Sequence, residues 1–171
     1  AQDIEIAAPS GRKIYRLLQS EEFRWTYESL MGAPRFASDA IPMSVRPPLP
    51  QVQDFPLEVA GETVRVTALS VGNPQCVVFV SELPDHERFV RVGGALEASP
   101  VFPERTNVSF VKVVGDSEIH VMIYERGVGP THSSGTGSCG AAVAALQGGL
   151  VASPVKVRSA TGVQTVEWAP G

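Results

Sequence analysis

The 171 residues are 43% apolar and 19% charged, with a formal charge of −4. That is enough apolar side chain for the core of one ordinary domain, or of one domain and part of another, and it leaves no basic surplus of the kind nucleic-acid binding requires. No apolar run reaches the roughly 18 residues of a membrane span, and the first residues lack the basic-then-apolar order of a secretory signal, so the expectation is a cytoplasmic protein handling a small molecule, with neither nucleic acid nor membrane as partner.

The chain enters strand-like alternation at residues 3–7 without an initiating methionine and stops just after another such run, the pattern expected of a piece of a longer protein. A turn at Pro9-Ser10-Gly11 leads to a second strand over 13–18. The run "FRWTYESLM" follows, with Phe23, Trp25 and Tyr27 on one face and Arg24, Thr26 and Glu28 on the other, as in a half-buried strand. Then "IPMSVRPPLPQVQDFP" carries five prolines in sixteen residues and no periodicity, which reads as a semi-rigid linker. A domain boundary is therefore expected near residue 50. Residues 1–50 supply only three strands, the trailing part of an N-terminal domain, and 51–171 form a C-terminal domain.

Strands are expected over 57–59, 63–71 and 76–80, the first two divided by Ala60-Gly61-Glu62. A helix follows in "PDHERFVRVGGALEA", where Phe89, Val92 and Leu96 recur at helical spacing behind an Asp85 cap, despite weakening glycines at 93 and 94. Strands at 108–114 and 118–124 flank Gly115-Asp116, and strands at 155–158 and 164–168 flank Thr161-Gly162. Between these pairs a second helix, 137–147, runs through Ala141 to Leu146 without a charge and should be buried all round. The class is α+β, a mainly antiparallel sheet wrapped around a central apolar helix.

The second helix is preceded by "YERGVGPTHSSGTGSCGAAVAAL", residues 124–146. A helix start presents unpaired N–H groups and about half a positive charge. Gly135 and Gly137 let a ligand approach the backbone, and Ser134, Thr136 and Ser138 add hydroxyls. Glu125-Arg126, an ion pair at a strand end, would offer a carboxylate and a guanidinium to a zwitterion. The plain alternative is a hydroxyl cap on a glycine turn beside solvated charges. Cys76 and Cys139 fall in different elements, with neither a disulfide framework nor a metal-ligand spacing, and both read as small buried residues. His86, His120 and His132 read as surface, strand and loop residues.

This stretch resembles the C-terminal signature of diaminopimelate epimerase, Tyr-Glu-Arg-Gly-x-Gly followed by a cysteine-bearing Gly-[Ser/Thr]-Gly helix start. "GNPQCVVFV" (72–80), "FPERTNVSFVKVV" (102–114) and "MGAPRF" (31–36) are similar to further motifs of that family, in its order and at its spacing. The resemblance implies two similar domains with the substrate between them, and cofactor-free conversion of LL- to meso-diaminopimelate for lysine and cell-wall precursors. One cysteine thiolate would remove the α-proton and a second thiol would return one, which suits a group whose pKa of about 8.5 falls at a helix start. The first cysteine would lie in an N-terminal domain ahead of Ala1. The second should stand at 134, where this chain has Ser134, whose hydroxyl is too weak an acid for a direct stand-in.

The resemblance also gives Asn73 and Asn107 to the distal amino-acid end of the substrate, with Glu125 and Arg126 beside it and Glu125 tuning the proton transfer. The backbone of Gly135 and Thr136 would cradle the α-carboxylate. Gln75 stands where the family has a histidine, and Pro130 where it has a glutamate. The readings left open are an intact epimerase, an altered paralogue that binds an amino acid without turnover, and a one-base isomerase of the same superfold. Pairing into a homodimer is also left open.

Overall fold

The computed structural model describes residues 3–8 and 11–169, and the chain divides into two compact units, Ala1–Ala33 and Pro34–Gly171. The first is an antiparallel meander of β1 (Asp3–Ala8), β2 (Gly11–Glu21) and β3 (Arg24–Ser29). Cross-strand partners share a face, so Ile4 opposite Tyr15 and Leu17 opposite Tyr27 make an apolar side. On the other side Arg16 lies 4.0 Å from both Asp3 and Glu28.

The alternation expected around Trp25 is present, but its burial is not. Trp25 is 56% and Tyr27 40% exposed, and Phe23, 84% exposed, lies in the hairpin turn. A single sheet layer has no second layer of its own to cover its apolar face.

In the second unit, the proline-rich segment is packed structure rather than a linker. Ser38 exchanges backbone hydrogen bonds with Leu49 and Met43, Arg35 pairs with Ser70, and Ile41 and Met43 are buried. The compact units thus part between Ala33 and Pro34, where a boundary near residue 50 was expected. Apolar residues spaced irregularly among prolines carry no period, so their burial escapes a reading based on periodicity.

The strands that follow are β4 (Val52–Val59), β5 (Glu62–Ser70), β6 (Pro74–Phe79), β7 (Asn107–Gly115), β8 (Glu118–Glu125), β9 (Gly129–Thr131), β10 (Val155–Ser159) and β11 (Gly162–Val166). They form one sheet in the order β11-β10-β8-β7-β6-β5-β4, with β9 also on β8. The β6–β7 and β8–β10 pairs are parallel and the others antiparallel. The three-residue β9 is absent from the sequence reading, and β4 begins earlier than its alternation suggests.

Helices α1 (His86–Glu97) and α2 (Gly135–Gln147) are both present. Val66, Cys76, Val108 and Phe110 pack with Phe89, Val92 and Leu96 of α1, and Leu69, Val77, Val111, Val121 and Ile123 pack with Ala141–Ala145 of α2. Apolar contacts on both faces explain why β5 to β7 read as near-continuous apolar runs. The burial expected for α2 holds over 141–145, while Thr136, Cys139 and Leu146 are half-buried and Gly135 is exposed.

Asp85 caps α1 as expected, its Oδ1 accepting from the Arg88 N–H at 2.8 Å. The glycines that weaken this helix have a packing reason. A Cβ on Gly93 would lie 3.1 Å from Cδ2 of Tyr124, and one on Gly94 would lie 3.1 Å from its hydroxyl. The Tyr124 ring is itself held edge-on by Phe89 at 6.1 Å. We therefore expect Gly93→Ala to lower stability by about 1–3 kcal/mol through overpacking, although alanine alone would favour the helix by about 1 kcal/mol. Urea unfolding checks the sign, and a stabilised variant would refute the contact.

Candidate active site

The site is built where α2 begins. Ser134 is extended at φ −151°, and its buried Oγ accepts from the Gly137 N–H at 3.3 Å while its carbonyl accepts from Ser138 at 2.9 Å. It is therefore the N-cap of α2. The first N–H groups of a helix have no intrahelical acceptor, and a Cβ on Gly135 would meet nothing within 4 Å, so the backbone there is open to approach. At Gly137, by contrast, a Cβ would lie 3.0 Å from Ile123 Cδ1, so the absent side chain brings the first turn close onto β8.

The turn before β6 reaches this helix start. Asn73 Nδ2 donates to Thr136 Oγ1 at 3.4 Å, and Asn73 Oδ1 accepts from Gln75 Nε2 at 2.8 Å. Gln75, 1% exposed, lies across Gly140, where a Cβ would come 2.7 Å from its Cγ.

The second half of the site is the end of β8. Asn107 opens β7 in parallel register with Gln75. Its Nδ2 donates to the Pro74 carbonyl at 3.2 Å, and its Oδ1 accepts from the Arg126 N–H at 2.9 Å. Glu125 pairs with Gly129 in the β8–β9 hairpin, whose turn uses Gly127 at φ 75° and Gly129 at φ 100°, conformations glycine adopts without steric cost. Arg126 is exposed and its Nη1 donates to the Glu104 carbonyl at 3.1 Å. Among the described residues Glu125 and Arg126 do not pair with each other, contrary to the expected ion pair. The two side chains follow one another along the chain, and the arginine is drawn to a carbonyl instead.

All seven expected residues thus fall at one end of the sheet. Asn73 and Thr136 touch, Asn107 and Arg126 touch, and Pro74 joins the two groups, whereas the carboxylate of Glu125 has no hydrogen-bond partner among the described residues. Sequence reasoning missed Glu97, a 2% exposed carboxylate at the end of α1 that accepts from the Gly127 N–H at 2.8 Å and pairs with Arg105. Its only sequence signal is its place one turn after Gly93 on the packed side of α1.

The remaining expectations are placed as follows. Cys76 is fully buried and Cys139 half-buried, and burial raises both thiols above the ordinary value. His132 is exposed, its carbonyl accepting from Thr161 Oγ1 at 3.3 Å. No group of three or more His, Cys, Asp and Glu among the described residues could hold a metal, and no helix there is long and apolar enough to cross a membrane.

The solved structure of a hydroxyproline epimerase from Agrobacterium vitis, with bound trans-4-OH-L-proline, superposes at a TM-score of 0.65 over 94% of this chain and 49% of that one, at 16% identity. The fold is that of this epimerase class. The diaminopimelate epimerase family profile matches residues 67–170. Diaminopimelate epimerases of Desulforudis audaxviator and Pelotomaculum thermopropionicum are 46% identical over 81% of this chain and 39% identical over all of it. The chain belongs to the diaminopimelate epimerase family. It spans 49% and 60% of the length of these two relatives.

Two outcomes follow from the helix start. Ser134→Ala should cost about 1 kcal/mol by removing the cap, read by thermal unfolding. Because burial raises the Cys139 thiol, its thiolate is scarcer at neutral pH than that of an exposed cysteine. Labelling by a thiol reagent should accordingly be slow near neutrality and accelerate only above the ordinary thiol range; fast labelling at pH 7 would contradict this.

Proposed function

We propose that this chain is the substrate-holding C-terminal part of a cofactor-independent amino-acid epimerase that acts on diaminopimelate, in the cytoplasmic synthesis of lysine and cell-wall precursors. The observation that carries the proposal is the hydrogen-bonded gathering of Asn73, Thr136, Asn107 and Arg126 at the start of α2, with Gly135 open in front of it. In this reading the N–H groups of Gly135 and Thr136, at the positive end of the helix, hold the α-carboxylate. Glu125 attracts an ammonium and Arg126 a carboxylate at the distal end, with Asn73 and Asn107 fixing the orientation.

The base that removes the α-proton comes from an N-terminal part of the same protein, and the isolated chain does not turn over. That the relatives are longer, and that the meander β1–β3 has an uncovered apolar face, supports such a partner.

Ser134 supports a second reading, an altered member that binds the amino acid without turnover. Its hydroxyl is engaged in capping Gly137, and Gln75, where the family has a histidine, cannot titrate. The two readings separate in deuterium oxide with the full-length protein and diaminopimelate. An epimerase exchanges the α-hydrogen with solvent without pyridoxal phosphate. An altered member binds by calorimetry but does not exchange, and Ser134→Cys with Gln75→His should raise exchange by about a hundredfold or more. Exchange at ordinary enzymatic rates by the unaltered protein would sink the second reading, and neither binding nor exchange on any amino acid would sink both.

A further inference from the structure

Glu97 is the one fully buried acidic side chain among the described residues. A carboxylate is costly in the interior unless it is paired and hydrogen-bonded, and both its oxygens are engaged. Oε1 accepts from the Gly127 N–H at 2.8 Å, and Oε2 meets the half-exposed guanidinium of Arg105. Arg105 stands at φ 58°, a left-handed conformation uncommon outside glycine. The next residue, Thr106, donates its N–H to the backbone carbonyl of Glu97 at 3.3 Å. The end of α1 therefore grips the chain on both sides of the candidate site: the approach to Asn107, and the turn after Glu125.

The two grips converge on successive peptide groups. The Arg126 N–H is held by Asn107 Oδ1 at 2.9 Å and the Gly127 N–H by Glu97 Oε1 at 2.8 Å. Fixing two consecutive amides fixes the two peptide planes that flank the Arg126 Cα, and with them the direction in which the Arg126 side chain leaves the backbone. A turn containing Gly127 and Gly129 has the conformational freedom to need such a restraint. We propose that Glu97 is a positioning residue, whose carboxylate sets the backbone of the turn from Glu125 to Gly127 and so aims Glu125 and Arg126 at the bound amino acid. The aiming rests on the reading under Proposed function; the restraint on the turn does not.

The test uses the full-length protein, with amide hydrogen exchange at Gly127 and calorimetric titration with diaminopimelate. In Glu97→Ala, protection of the Gly127 amide should fall by about tenfold or more, and the dissociation constant should rise by a similar factor, as for a lost hydrogen bond to a charged acceptor. Core amides of β6 and β7 should be unchanged. Glu97→Gln, whose amide oxygen can still face Gly127, should restore most of both effects, whereas Glu97→Met, which fills the same space without an acceptor, should not. Where Glu97→Ala does not fold, Glu97→Met, which keeps the packing, reads the same restraint by the same criteria. Unchanged protection at Gly127 overturns the proposal, as does lost protection with unchanged affinity. If the unaltered protein binds no amino acid, the functional reading falls and takes the aiming with it, while exchange at Gly127 still decides whether Glu97 holds the turn.

Discussion

The carboxamide of Asn107 joins the β7–β8 hairpin to the turn before β6, which reaches it only across a parallel pairing. Parallel strands need a crossover, so β6 and β7, separated by α1, meet through the register that sets Gln75 beside Asn107. The end of β8 arrives from the other side, Val108 facing Tyr124. Asn107 bridges them, its nitrogen on the Pro74 carbonyl and its oxygen on the Arg126 N–H, and at 5% exposure it does so largely out of water's reach. Replacing it with an apolar residue would leave both backbone groups without these partners in a place where an unsatisfied polar group is expensive. Through this side chain the turn that carries Arg126 is tied to the one that carries Asn73.

Close helix approach completes the arrangement. Gly93 and Gly94 admit Tyr124 against α1, Gly137 admits Ile123 and Gly140 admits Gln75 against α2. Tyr124 precedes Glu125, and Gln75 bonds to Asn73. The glycines that draw the helices inward are thus those whose partners adjoin the candidate binding residues. A helix α2 standing one methyl group further out would separate its first turn from Asn73, which donates to Thr136. Packing density and recognition are set by the same contacts.

This explains what could be read from the sequence. Both helices, the Asp85 cap and most strands were legible, because period and cap chemistry are local. The hydroxyl and glycine pattern of residues 134–138 pointed to a helix start at 137, and the Ser134 cap sets it two residues earlier, at Gly135. Tertiary contacts were not legible. Gly93 and Gly94 looked like weaknesses because Tyr124 lies thirty residues away in the chain, and Ile41 and Met43 looked like linker because prolines erased any period. Glu97 drew no notice, since nothing local shows that Arg105 and Gly127 converge on it. The face carrying Trp25 was read as half-buried from its alternation, yet alternation states only which residues share a side and not whether anything covers them.

Serine at position 134 separates two properties that a cysteine there would combine. A capping atom must accept a hydrogen bond from the third residue of the helix, which Ser134 Oγ does at Gly137. A proton carrier must also ionise near neutral pH. A helix start lowers a thiol from about 8.5 into the range of roughly 3.5 to 7.5, and a shift of that size leaves an alcohol far from ionisation. Gln75 follows the same pattern where the resemblance places a histidine: its amide still donates to Asn73 and still lies across Gly140, but it carries no charge at any pH. Both residues keep the hydrogen bonds that shape the site and lack the capacity to titrate. The N–H groups of Gly135 and Thr136 belong to the backbone and do not depend on either side chain, so a change of the two side chains that could titrate leaves the open helix start as it is.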